Sequence, residues 1–276
     1  RQFFYRSKRE SILLALEMFS KAIEKDSNYA LAFAGKADCH SYLYMYFEHQ
    51  QHQLLKALQT SQQSLTLDPN LAEAHAARGL AVSLNQEYED AEREFEYAIL
   101  LNQQLFEAYY FYARTCFSQG KLKKAANLYL QASQVNPQDF QALNLLGFTY
   151  RCLKLHDKAE DAYARGLRRV EKHLELNPNA ARALYLGAEA LLAMGKKERA
   201  ALWAGRALSI DPEDPYLSYG LACFNSRLGE KAKALEYFEM ALDSGFAHRE
   251  WIENDTDLDP IRNHPRFQEL LERLTK

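Results

Sequence analysis

The sequence predicts an all-α fold: an α–α superhelix of about six helix pairs, preceded by a partial unit and closed by a capping helix. Three observations carry this. Ala15, Ala57, Ala91, Ala125, Ala159, Ala200 and Ala234 recur at spacings of 42, 34, 34, 34, 41 and 34 residues. A second track of small residues follows seven positions on, at Ala22, Ser64, Ala98, Ala132, Gly166, Ala207 and Ala241. Between the two runs a bulkier track, Phe19, Ser61, Phe95, Tyr129, Tyr163, Ala204 and Phe238. Small, large and small side chains at i, i+4 and i+7 share one helix face, and the small ones admit a neighbouring helix closely. The third observation is punctuation. Asp68-Pro69, Asn136-Pro137, Asn177-Pro178 and Asp211-Pro212 fall between units, and Asp26-Ser27 and Asn102-Gln103 hold the same place without proline. Proline cannot continue a helix but fits its first turn, and Asp or Asn can cap, so each pair is expected to end one helix and start the next. With 11 Gly and 7 Pro in 276 residues, the chain has too few turn residues for a β-rich protein.

Taken in order, the pattern predicts the second helix of a truncated unit near 9–26, within a partial unit 1–29. Six helix pairs follow as one continuous solenoid over 30–248, at roughly 30–71, 72–105, 106–139, 140–180, 181–214 and 215–248. The first pair carries eight extra residues after His40, and 41–53 contains neither Gly nor Pro. Its first helix is therefore expected to run on by about two turns, roughly 12 Å, or to end in an ordered loop. The fourth pair has seven extra residues before Pro178, so its second helix, about 157–175, should also gain two turns. Both insertions are near whole turns, which keeps the packing faces in phase. Residues 249–276 break the rhythm and lead to a short amphipathic helix ending at Leu274. A solenoid's last repeat exposes its apolar face unless something covers it, so this segment is expected to cap.

The first helix of each pair has its own track: Leu143, Leu146, Gly147 and Tyr150 in one, Tyr109, Tyr112, Ala113 and Cys116 in another. Followed by Ala159, Tyr163, Gly166 and Pro178, or by Ala125, Tyr129, Ala132 and Pro137, these series resemble the tetratricopeptide repeat family over nearly the whole chain. Ala204 in place of an aromatic and Arg78 in place of an apolar residue depart from the pattern. The ending, with Asp259-Pro260 and Pro265-Arg266-Phe267, resembles that of the C-terminal tetratricopeptide arrays of bacterial multidomain signalling proteins. These are serine/threonine kinases, adenylate cyclases and winged-helix transcriptional activators. Residues 28–38 and Ala72-Glu73-Ala74-His75 are similar to the same group's opening repeats. The chain opens at Arg1 and is expected to be a piece of something longer, with any catalytic domain outside it.

Composition excludes several classes. Thirty-four basic against 37 acidic residues give a net charge of −3 and no basic stripe, which disfavours nucleic acid as a partner. No apolar run approaches the ~18 residues of a membrane span, so direct membrane insertion is not expected. The expected compartment is the cytoplasm, or the periplasm where a membrane helix precedes the array. Cys39, Cys116, Cys152 and Cys223 lie far apart, without the spacing of a disulfide framework or zinc ribbon, and are read as core fillers. No phosphate loop, nucleophile elbow, kinase signature or zinc-protease motif occurs, so neither enzymatic activity nor a cofactor is expected. Asp255, Asp257 and Asp259 mimic a calcium loop, but its sixth and twelfth positions hold Pro260 and Arg266, and turn formation is the better reading. His40, His49 and His52 lack a third ligand at fixed spacing and are read as solvated. Arg165, Arg168, Arg169 and Lys172 are read as an outer face near a helix C-terminus.

The resemblance implies a concave face lined by the first helix of each pair. Asp38, Tyr42, Glu73, Tyr110, Arg114 and Phe117 fall there, followed by Asn144, Phe148, Arg151, Arg182, Tyr185 and Glu189, and then Tyr216, Tyr219 and Arg227. Aromatics at helical spacing more often fill a core, but Tyr109 and Tyr112 already hold the core positions beside Tyr110. Rings, arginine forks and an amide suit an extended peptide or protein segment, whose backbone and carboxylates they can pair. The two-carboxylate clamp of chaperone-binding relatives is not reproduced. A self-associating array that brings attached domains together as a homo-oligomer, or an arm that presents substrates to an attached enzyme, are the alternatives.

Overall fold

The computed structural model describes residues 9–48 and 50–275, so the first eight residues of the partial unit and His49 lie outside the described residues. Every regular element among them is helical. The chain divides into two compact units, residues 1–115 and 116–276. The first holds α1 (Arg9–Lys25), α2 (Ala30–Leu43), α3 (Gln51–Leu67), α4 (Ala72–Leu84), α5 (Tyr88–Leu101) and the greater part of α6 (Phe106–Ser118). The second holds the end of α6, α7 (Leu122–Val135), α8 (Gln141–Cys152), α9 (His156–Leu176), α10 (Ala181–Ala193) and α11 (Lys197–Ile210). It continues through α12 (Pro215–Leu228), α13 (Lys231–Asp243), α14 (Arg249–Asn254), α15 (Asp259–Arg262) and α16 (Pro265–Glu272).

The punctuation works differently from the expectation. Asp68, Asn102, Asn136, Asn177 and Asp211 are each the residue at which a helix ends, and the next helix begins four or five residues later. Their side chains do not cap that next helix. Instead, Asp26, Asp68, Asn102 and Asn136 each accept the backbone N–H two residues on, at 2.9–3.2 Å, an Asx turn. The Asx residue makes the turn and the proline only forbids helix beyond it, so Asp26 and Asn102 manage without one. Capping falls to other residues: Asp214 accepts from the backbone N–H groups of Tyr216 and Leu217 ahead of Pro215.

In the first unit the small-residue tracks let the helices meet. Ala34 and Ala37 of α2 pack on Ala74 and Ala77 of α4, and Ser64 of α3 donates to the Ala30 carbonyl at 2.7 Å. The insertion after His40 continues α2 as a π-helical turn, Tyr44–Glu48, which then gives way to α3. His40 is not solvated: it is buried, bonded through Nδ1 to Gln53 at 2.7 Å, and burial lowers its pKa. His52 stays exposed. Arg78, in an apolar slot of the repeat, spends its guanidinium on the Leu58 carbonyl at 3.1 Å.

In the second unit the other insertion makes α9 the longest helix described, at 21 residues. Of the basic residues on it, Arg169 reaches the Asp139 carbonyl at 3.1 Å and so ties α9 to the turn before α8. Ala204 leaves the aromatic slot empty, and Trp203 fills it from one position earlier, packing its ring against Gly187 where no side chain intervenes. The four cysteines are buried. At the C-terminal end Phe267 of α16 stacks on Phe238 of α13 at 4.7 Å, and Ile261, Leu270 and Leu271 are buried beside it. Arg266 and Arg273 pair with Glu239 and Asp243 of α13. The helices α15 and α16 thus form a two-helix lid packed on α13.

Candidate peptide groove

Between α13 and that lid the chain makes a detour. Residues 249–258 leave the end of α13, run as α14, Asp255 and a 3-10 turn over Thr256–Leu258, and lie across the inner faces of α8 and α12 and the end of α6. Side chains of five strap residues hold it there, among them Thr256, whose hydroxyl donates to the Cys152 sulfur at 3.5 Å, and Arg262 of α15 donates to the Ile252 and Asp255 carbonyls. Trp251 sits on Phe117 at 4.3 Å between centroids and stacks on Phe148 at 6.1 Å and 15°. The Asn254 amide donates to the Ser118 carbonyl at 3.0 Å. Asp255 accepts from the Tyr219 hydroxyl at 2.7 Å and from the Cys223 thiol at 3.4 Å, while its other oxygen accepts the Asp257 N–H at 2.8 Å. Asp257 takes a two-pronged pair from Arg151 and lies 3.9 Å from the Arg227 Nε. Arg227 in turn donates to Glu189 at 2.8 Å. Asp255 and Asp257 are both nearly inaccessible to solvent.

The electrostatics follow from that burial. Loss of water pushes the Asp255 carboxyl above its ordinary range, opposed by the Tyr219 hydroxyl and the Arg151 charge. Burial raises Glu189 likewise, opposed by Arg227 and Arg151. The Cys223 thiol is pushed up by burial and by the neighbouring Asp255, so it is a donor and not a nucleophile. Cys223 and the carboxylates of Asp255 and Asp257 place ligand-type atoms within 4.8 Å of one another. A phenol and a thiol meet Asp255 Oδ2 and a guanidinium meets Asp257 Oδ2, so these groups belong to a hydrogen-bonded ion network. Asp259 turns away and pairs with Arg262 at 3.1 Å.

Six of the groove residues expected from sequence, Phe117, Phe148, Arg151, Glu189, Tyr219 and Arg227, meet at the strap or at its ion pairs. Arg182 lies at the margin, its guanidinium over the Tyr216 ring at 5.6 Å and its Nε bonded to Gln141 at 3.4 Å. Tyr185 presses on Gly220 of α12. Asn144 does not join them. Its amide donates to the Phe140 carbonyl at 2.6 Å, and the side chain packs against Gly166 of α9. Tyr110 and Arg114 belong to the first unit. Tyr110 is buried and stacks on Phe106 at 5.4 Å, and Arg114 bonds the Met45 sulfur at 3.8 Å with its guanidinium over Tyr46. Trp251 and Asn254 carry no expectation from sequence, whereas Asp255 and Asp257, expected to form a turn, do so through the Asp257 N–H and in addition meet Tyr219 and Arg151. The signal for the strap was a tryptophan and two alternate aspartates in a segment that a cap alone would make apolar.

With this geometry in hand, the comparisons with known proteins are specific about the repeats. Residues 113–151 match the family description "TPR repeat", and residues 155–215 match "Tetratricopeptide repeat". The chain is 26% identical over 203 residues to anaphase-promoting complex subunit 3 of Schizosaccharomyces pombe, covering 72% of this chain and 30% of that protein. It thus spans less than a third of that relative's length. Among solved structures, the hetero-tetramer Cut9-Hcn1 of the APC/C superposes with a TM-score of 0.61 at 14% identity, covering 98% of this chain and 46% of the other. The human IFIT1 dimer with PPP-AAAA superposes at 0.62 and 16% identity, covering 97% and 69%. These likenesses establish the α–α superhelical fold. Residues 113–151 and 155–215 thus carry tetratricopeptide repeats. No helix of the described residues is long and apolar enough to cross a membrane.

Proposed function

We propose that this tetratricopeptide scaffold captures an extended segment of a protein partner on the face made by α8, α10 and α12, without catalysis of its own. One observation carries the reading: that face already holds a length of polypeptide, by ring stacking on Phe117 and Phe148 and by the fork of Arg151 on a carboxylate. The array serves as the docking or regulatory arm of a larger bacterial signalling protein. Support for that part is the likeness of the ending, Asp259-Pro260 through Pro265-Arg266-Phe267, to the arrays that close such proteins. The net charge of −3 favours a protein partner over RNA.

Photo-crosslinking tests the site. A p-benzoylphenylalanine placed at position 148 reports on the groove, and one at position 202, where Leu202 is 64% exposed, reports on an outer face. The expected result is a partner crosslinked from position 148 and not from 202, whose crosslinked segment binds again as a synthetic peptide. The same crosslinks from both positions, or a segment that fails to bind alone, would move the site elsewhere.

A further inference from the structure

The strap is more than the cap requires. The lid of α15 and α16 packs through Phe267, Ile261, Leu270 and Leu271, with α16 on α13 and α15 on both α12 and α13. None of that needs a tryptophan against Phe117, or two aspartates taken out of water beside Arg151 and Arg227. Burying charges costs desolvation that an apolar segment would avoid, so such pairs are weak as packing and strong as recognition. Upstream of the strap, Gly245 turns the chain at φ +100°, and the buried Phe246 stacks on Tyr219 at 4.1 Å, so the strap departs from a fixed point.

We propose that Trp251–Asp257 is a built-in competitor, which fills the groove until a partner segment of the same chemistry displaces it. That partner segment is an acidic peptide with an aromatic residue four positions before the first of two alternate aspartates, as Trp251, Asp255 and Asp257 are spaced here. The inference rests on the peptide-capture reading above and adds the ligand's chemistry and the gate. The aromatic residue takes the Phe117–Phe148 platform, the first carboxylate the Tyr219 hydroxyl, and the second the Arg151 fork. A tethered segment acts at an effective concentration on the order of millimolar, so a free peptide of micromolar affinity stays out while the strap's own contacts are intact. Weakening those contacts opens the site to peptide in trans.

The probe is a fluorescein-labelled peptide of residues 249–258, titrated into the wild-type chain and into Trp251→Ala/Asp257→Ala by fluorescence polarisation. The variant is expected to bind at least ten-fold more tightly than wild type. The peptide should also raise the variant's Tm while leaving the wild-type Tm unchanged, because ligand that binds only the folded state stabilises it. Adding Phe148→Ala, or replacing both aspartates of the peptide by asparagine, should remove the binding. If circular dichroism shows that the double variant has lost helix, Trp251→Ala alone, which keeps the ion pairs, is titrated the same way, with at least a three-fold gain expected. Equal binding by wild type and variant would overturn the gate while leaving peptide capture standing. A folded variant that binds no peptide would overturn the ligand chemistry, and the crosslinking experiment would then decide capture separately. A variant that turns dimeric and ignores the peptide would make the occupant a second copy of this chain and overturn the proposal of a partner segment.

Discussion

Ala125 and Ala159 sit buried on the crossing faces of α7 and α9, where the repeat pattern leaves no room for a longer side chain. Leucine at either position should overpack the crossing and cost about 1–3 kcal/mol, read as a lower denaturation midpoint. An unchanged midpoint would mean that the small-residue track does not face its neighbour. Asp139, before α8, makes a different kind of prediction. It accepts the Ala142 N–H at 2.8 Å, and burial raises its pKa from 3.8 to about 6. In the unfolded chain it loses its proton near pH 4, while the folded chain holds the proton to about 6, so its contribution is complete below pH 4 and is lost as pH rises through that window. At 1.36 kcal/mol per unit, the loss is at most about 3 kcal/mol. Asp139→Asn keeps an acceptor for Ala142 and should flatten the slope of urea midpoints between pH 4 and 6; a slope that stays would assign it to other carboxylates. The small and large tracks were legible because they answer to one helix face. Asp139 was not, because its burial depends on how α8 meets α9.

At the scale of the element, Trp203 and Arg151 show where a pattern informs and where it stops. The missing aromatic at Ala204 was visible in the sequence, but its replacement by a ring one residue earlier was not, since a neighbour's ring can reach the slot only because Gly187 faces it. Trp203→Ala should therefore cost as much as loss of a regular core aromatic, about 3–5 kcal/mol. The Asx turns were legible as punctuation and misread as caps, because sequence gives the residue and not which N–H it accepts. Arg151 was read as a groove residue open to ligand, yet it is committed to Asp257, 106 residues later in the chain. Arg151→Ala should cost about 3–5 kcal/mol by leaving the buried Asp257 carboxylate with only the more distant Arg227 at 3.9 Å. Pairing Arg151→Met with Asp257→Leu should recover most of that loss in thermal melts. Failure to recover would mean that Arg227 and Glu189 depend on the pair as well.

For the molecule as a whole, the fold class was legible from periodicity, and the strap was not. Periodicity describes what each repeat does to its neighbours, and the strap obeys no repeat. Hydrogen exchange tests its weight: a chain ending at Ser244 should lose amide protection in α8 and α12 by ten-fold or more. Unaltered protection there would reduce the strap to an ornament of the lid. A plain repeat array is a row in which each unit touches the next, and such rows assemble from local contacts as the chain emerges. Here Ser118 and Arg151 wait for Asn254 and Asp257, 136 and 106 residues downstream. These contacts form only after residues 254–257 have left the ribosome. Until then a nascent chain leaves Phe117 and Phe148 uncovered by Trp251 and Arg151 without its Asp257 partner, and exposed apolar surface of that kind makes folding intermediates prone to aggregate.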